Sequence, residues 1–330
     1  MNTRPEDTIT LTVLLALGSA SCDQPLAAPE TPMVTTVATA GIPDTYTVVA
    51  VGSDDPHRFQ FEIALVDQGA RELRSQILAQ ADRWARIVDG SDLENIEWEP
   101  GPVSCGRLSY DYQQDVLDDI FVMVSAQDYR SGAGVRSVTC GYRESSGLPI
   151  TGTILLDVEG VPRGQVDDLI LHAFGHMLGF GTSWRRLDLL RNSSSGHPGA
   201  DTHFTGDRAI AAFVASGGAY YPGLRVPVEN DPTYGSVDKH WRESVFASEL
   251  MTSGLREGAA DPLSAITIQS LADMGYTVDV EEADAYTLPA ASAAASAMEA
   301  GHAIDLTEDV VITPAVFYDG QGRVVRVVRH

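Results

Sequence analysis

Two histidines, His172 and His176, stand four residues apart in the apolar stretch "LILHAFGHMLGFGTSW", residues 169–184. On a helix that spacing puts both imidazoles on one face, one turn apart, where they can share a zinc ion. The same pair also occurs in ordinary buried helices, where each ring satisfies its own hydrogen bonds. Three further residues favour the metal. Gly179 follows His176 by three positions and permits the sharp turn that brings a further ligand under the metal. His240, in "VDKHWRES", offers a third imidazole after a long intervening stretch. Met251, in "SELMTSG", comes eleven residues later, suited to a tight turn that lays a methionine beneath the site. His197 and His203 lie in the intervening stretch and are the alternative third ligands, but the His–Trp pair and its distance to Met251 favour His240.

Taken in chain order, "LPITGTILLDV", "HAFGHMLGFG", "VPVEN", "HWRES", "ELMTSG" and "LSAITIQSLADMGY" resemble segments of the metzincin zinc endopeptidases, specifically the leishmanolysin family. The resemblance covers about residues 44–282. In that family the third histidine is displaced by an insertion of roughly this size. The resemblance implies one catalytic-type Zn2+ held by His172, His176 and His240, with Met251 in the methionine turn. It also implies an extended peptide or protein substrate. The fold class it implies is α+β, with two subdomains. A twisted mixed sheet and the active-site helix form the upper one (44–180), above a loop-rich lower one (181–282).

One position departs from the pattern. The peptidase motif is H-E-x-x-H, and here its second residue is Ala173. The glutamate takes a proton from the metal-bound water and passes it to the leaving nitrogen; a methyl group cannot. General acid–base catalysis contributes about 10²–10⁴-fold, so turnover should collapse while metal binding, which does not use that residue, persists. The expectation is a zinc metalloendopeptidase that is inactive or strongly impaired as written. The alternative is a non-catalytic, zinc-containing peptide-binding or adhesion protein. Asp168, one turn before His172, leans towards the helix N-terminus and away from the metal. Glu243 and Glu249, near the third ligand and the methionine turn, are the other carboxylates to weigh as substitutes. The strand around Thr153–Leu156 is expected to offer an edge on which an extended peptide adds, or else to be a plain core strand. The chain lacks the many cysteines of eukaryotic relatives, and the span from Cys22 to Tyr46 leaves no room for a long prosegment. Latency through a cysteine switch is therefore not expected.

These residues need a scaffold. "YTVVAV" and "RFQFEIALV" alternate like strands, and "DDIFVMVSAQ" and "ITGTILLDV" read as buried strands. Leu73, Ile77, Ala81, Trp84 and Ile87 recur at spacings of three and four, an amphipathic helix packed on a sheet. The histidine helix, "GQVDDLILHAFGHMLGF", ends at Gly179 or Gly181. Residues 182–239 are loop-rich, and Ser264 caps a further helix that runs to "MGY". Residues 283–300 read as a linker. Residues 301–330 form a β-rich tail, with "VVITPAVFYD" and "RVVRVVR" flanking the turn "GQG". Trp184, Trp241, Tyr220 and Tyr221 either line the cleft or pack in the core. His57, His302 and His330 read as surface or loop residues, and the acidic run 89–99 fits no calcium-loop template.

Composition bounds the rest. Forty-six acidic against 22 basic side chains give a net charge of −24. Such a field repels nucleic acid and anionic lipid. Residues 1–22 end an apolar run with "GSASC" and resemble a bacterial lipoprotein signal, in which the cysteine, here Cys22, is lipidated. That implies an exported protein, secreted or anchored at the cell surface or outer membrane, touching the membrane only through Cys22. Residues 23–43 would be the tether. A monomer is expected. With Cys22 consumed, Cys105 and Cys140 remain as a structural disulfide or as two free thiols.

Overall fold

Runs of β-branched and aromatic residues build one seven-stranded sheet in the computed structural model. The structure describes residues 48–329 apart from 54, 56, 92, 130–133, 160, 195–199, 222, 224, 232–236, 257–259, 291–293 and 295–303. The leader with Cys22, the 23–43 segment, His197, His302 and His330 lie outside the described residues. The strands are β1 (Val48–Gly52), β2 (Gln60–Leu65), β3 (Ile120–Ala126), β4 (Val135–Arg143), β5 (Pro149–Leu156), β6 (Ala315–Tyr318) and β7 (Val324–Val328). Their order across the sheet is β1-β2-β3-β5-β4-β6-β7. β2, β3 and β5 run parallel, β4 is antiparallel to β5, and β6 is parallel to β4. The chain is thus an α+β protein with a mixed sheet.

β3 and β5 are buried along their whole length, as interior strands of a sheet covered on both faces are. This corrects the expectation for Thr153–Leu156. That segment of β5 is flanked by β3 on one side and β4 on the other, so it offers no edge.

Helices α1 (Arg74–Ile87) and α2 (Val166–Met177) pack on one face of the sheet, burying Ile77, Ala81, Trp84 and Ile87 from the first. The Trp84 indole donates to the Leu171 carbonyl at 2.7 Å, locking α1 to the histidine helix. A short helix at Gln68–Glu72 precedes α1, with Leu73 between them. Across the sheet, a hairpin of Gly101–Cys105 with Leu108–Tyr112 covers Phe121, Met123 and Ile150. A disulfide between Cys105 and Cys140 ties that hairpin to β4.

The stretch after α2 holds more regular structure than its composition suggests. It contains α3 (Asp207–Ala215) and a small sheet of Leu190–Arg191, His203–Phe204 and Val226–Pro227. α4 (Ala265–Met274) starts where the Ser264 hydroxyl accepts the Thr267 N–H, and it stops at Gly275 with φ +119°. The C-terminal residues pair into the main sheet as β6 and β7. No helix among the described residues is long and apolar enough to cross a membrane.

Candidate metal centre

α2 carries Asp167 and Asp168 in its first turn, where acids complement the helix dipole. Its remaining nine positions, Leu169–Met177, are all buried, so both histidines project into the protein and away from solvent. Just past its end, Gly179 takes φ +95° and Gly181 takes φ +70°. A Cβ on Gly181 would lie 2.1 Å from the Lys239 carbonyl oxygen. The segment carrying His240 therefore crosses directly over a glycine, the only residue that admits it so closely.

The methionine at 251 is placed by a second glycine. A Cβ on Gly175, between the two helical histidines, would lie 2.8 Å from Met251 Cε and 2.9 Å from its Sδ. Met251 thus lies against α2 under the histidine pair, fully buried. Its turn is held by Glu249, which accepts hydrogen bonds from the Met251 N–H (2.7 Å), the Ser264 hydroxyl (2.6 Å) and the Thr267 hydroxyl (2.5 Å). Thr267 Oγ1 in turn accepts the Trp241 indole N–H at 2.8 Å, next to His240.

The imidazoles converge. Nδ1 of His172 faces the Leu250 carbonyl at 2.7 Å, and Nδ1 of His176 faces that of Phe180 at 3.0 Å. A carbonyl can only accept, so each Nδ1 carries the proton and each Nε2 presents a lone pair. The Nε2 atoms of His172, His176 and His240 are 3.0, 3.1 and 3.2 Å apart. Oδ2 of Asp309 completes the group, at 2.9 Å from His172, 3.1 Å from His176 and 3.4 Å from His240. All four side chains are fully buried. Burial pushes His240 down to about 4, which favours the neutral imidazole that can bind a cation.

These distances test whether a metal fits. Six edges near 3.1 Å describe an almost regular tetrahedron. Its centre is about 1.9 Å from each corner, within the tolerance of zinc–nitrogen bonds of about 2.0–2.1 Å. Facing lone pairs beside a carboxylate repel one another unless a cation lies between them. The group His172, His176, His240 and Asp309 can therefore hold a metal ion, and it is the only such group among the described residues.

The other candidates fall elsewhere. His203 sits half-buried on a short strand, with Nδ1 at 2.7 Å from the Asp201 carbonyl. His57 is exposed, as expected of a loop residue. Asp168 is not part of the donor group. Glu249 is committed to the methionine turn, and Glu243 pairs with Arg256, so neither is placed as a base. Ala173 is fully buried against the apolar core. Trp184 and Trp241 stack at 4.9 Å in an aromatic core with Phe180, Phe204 and Phe246, while Tyr220 is exposed.

Asp309 is the residue that motif spacing misses. It lies 137 positions from His172 among acids with no metal-ligand spacing, and only the path of the chain brings it in. No protein-family model matches the chain, and no curated protein matches it in sequence.

Proposed function

We propose that the chain is a zinc metalloendopeptidase scaffold of leishmanolysin type, inactive or strongly impaired as written because Ala173 stands where the general base belongs. The observation that carries this reading is the near-tetrahedral convergence of His172, His176 and His240 above Met251. The order of elements supports it too: an antiparallel β4 beside β5, then the histidine helix, a glycine turn, a distant third histidine and a buried methionine turn. A zinc ion there would act as Lewis acid, lowering the pKa of a bound water towards about 7 and polarising a scissile carbonyl. His172 and His176 are oriented for that role by the carbonyls on their Nδ1 atoms. The methyl group of Ala173 cannot move the proton that the motif's glutamate would take. The Cys105–Cys140 disulfide is in keeping with export to an oxidising compartment.

The buried alanine and the closed donor set favour a second reading as well, a non-catalytic zinc-containing protein that binds peptide or serves adhesion. One experiment separates the two. Zinc-loaded Ala173→Glu, alone and combined with Asp309→Ala, is assayed on casein and a quenched peptide library. Chelator-sensitive cleavage in the double variant, absent from the chain as written, supports the peptidase scaffold. Silence at one zinc per chain favours the binding protein. No zinc by elemental analysis, in a folded chain, refutes both.

A further inference from the structure

The segment that delivers Asp309 follows a path with two anchors, one on each side of the donor group. Before it, Ile304–Asp305 pairs antiparallel with Gly254–Leu255, and the Leu306 N–H donates to the Ser253 carbonyl at 2.9 Å, two residues past Met251. After it, the chain runs along β4. The Ser137 N–H donates to the Asp309 carbonyl at 2.5 Å, and the Ser137 carbonyl accepts the Val311 N–H at 2.9 Å. Thr313 Oγ1 donates to the Thr139 carbonyl at 3.4 Å. β6 then pairs with Gly141, Tyr142 and Arg143. Between the anchors, the Asp309 N–H bonds back to the Leu306 carbonyl at 3.2 Å, a tight turn that points the carboxylate at the imidazoles.

We infer that Asp309 is the fourth ligand of the metal and that residues 306–313 fill the edge of β4 on which an extended peptide would otherwise add, so the chain closes its own cleft. The inference rests on the proposal that a divalent metal sits among the three histidines. Two independent features carry it. The first is coordination: a catalytic zinc site keeps one position open for water, whereas four protein donors make a closed one. Oδ2 of Asp309 stands where the open position would be, and its Oδ1 is buried without a hydrogen-bond partner among the described residues. The second is the sheet. β4 has β5 on one side. On the other, this segment takes Ser137 through two main-chain bonds and Thr139 through the Thr313 hydroxyl, and β6 continues the pairing from Gly141 to Arg143. The main-chain groups at Ser137 are thus engaged in the mode by which extended peptides are recognised. The partner that displaces the segment would be an extended peptide with a metal-binding group, entering once Asp309 lets go.

The test uses the full chain with cobalt(II) in place of zinc and azide as a small probe of the fourth position. As written, the chain is expected to bind one cobalt and to show a tetrahedral visible spectrum that azide does not change. Asp309→Ala should keep the cobalt, shift the spectrum as water enters, and titrate with azide. Asp309→Asn, nearly the same size, covers the case in which the alanine variant does not fold, and should also admit azide. Chelation should raise hydrogen exchange at the Val311 and Ser137 amides at least tenfold. Azide binding to the unaltered chain, or an unchanged spectrum in both variants, overturns Asp309 as ligand while leaving the three-histidine site standing. A folded chain that takes up no cobalt overturns both.

Discussion

The donor group is assembled in two ways that have little in common. His172 and His176 are fixed to each other by one helical turn, and nothing beyond α2 is needed to bring them together. Asp309 arrives at the end of a segment held by a bridge at Leu255, two bonds to Ser137 and a strand on β4. The first half is local and rigid, while the second depends on long-range closure. Loss of a ligand from the helical half should destroy the site, whereas loss from the C-terminal half should only open it.

The largest effect expected is that of His176→Ala. Removing a mere orienting partner of a ligand costs about 10–100-fold in metal affinity, so losing this ligand should cost more than about 100-fold. The fold should lose about 2–5 kcal/mol as well, since a large buried side chain is truncated. Competition with a chromophoric chelator measures the first and thermal melts the second. If His176→Ala and Asp309→Ala weaken the metal equally, the two halves are not distinct.

The disulfide sharpens the comparison from the other side. Cys105 and Cys140 are 35 positions apart, and Cys140 lies on β4, the strand that carries the C-terminal segment. Removing the bond with Cys105→Ala and Cys140→Ala should cost about 3–4 kcal/mol by freeing the unfolded chain. Because β4 holds the segment, exchange at Val311 should rise before exchange in α2, while metal content stays at one per chain. Equal rises in both places would show that the bond stabilises the whole protein uniformly.

What could be read in advance follows the same division. The histidine pair, the Ser264 cap and the alternating strands are patterns within a dozen residues, and periodicity reports them directly. Cys105 and Cys140 were an even pair in search of a partner, and the structure joins them. That β5 lies inside the sheet, between β3 and β4, is not readable from sequence order. Asp309 escaped for the same physical reason: its role is set by strand pairing across the sheet, and nothing in "IDLTEDVV" encodes where that pairing leads. Gly175 and Gly181 hold the nearest local hints, since glycine in a buried helix and before a crossing loop marks a close approach.

The smallest effect should come from a polar group in neither half. Glu62 on β2 accepts the Tyr112 hydroxyl at 2.5 Å and is pushed up to about 7, chiefly by burial, with the Tyr112 bond opposing and Asp118 adding to the rise. The folded state therefore favours the protonated acid. Its contribution to stability is complete below about pH 4.5 and is lost as pH rises through about 7. Glu62→Gln cannot ionise yet still accepts the Tyr112 hydroxyl. At pH 4 the variant should melt within a degree or two of the parent. At pH 8 it should be the more stable by about 2 kcal/mol, after allowance for partial solvent screening. Asp119, also raised to about 7 by burial, leaves part of the pH slope in both proteins. Metal content should be the same in parent and variant at pH 8, because Glu62 is not part of the donor group. A melting difference that does not widen between pH 5 and pH 8 would mean that Glu62 is ionised in the folded protein throughout.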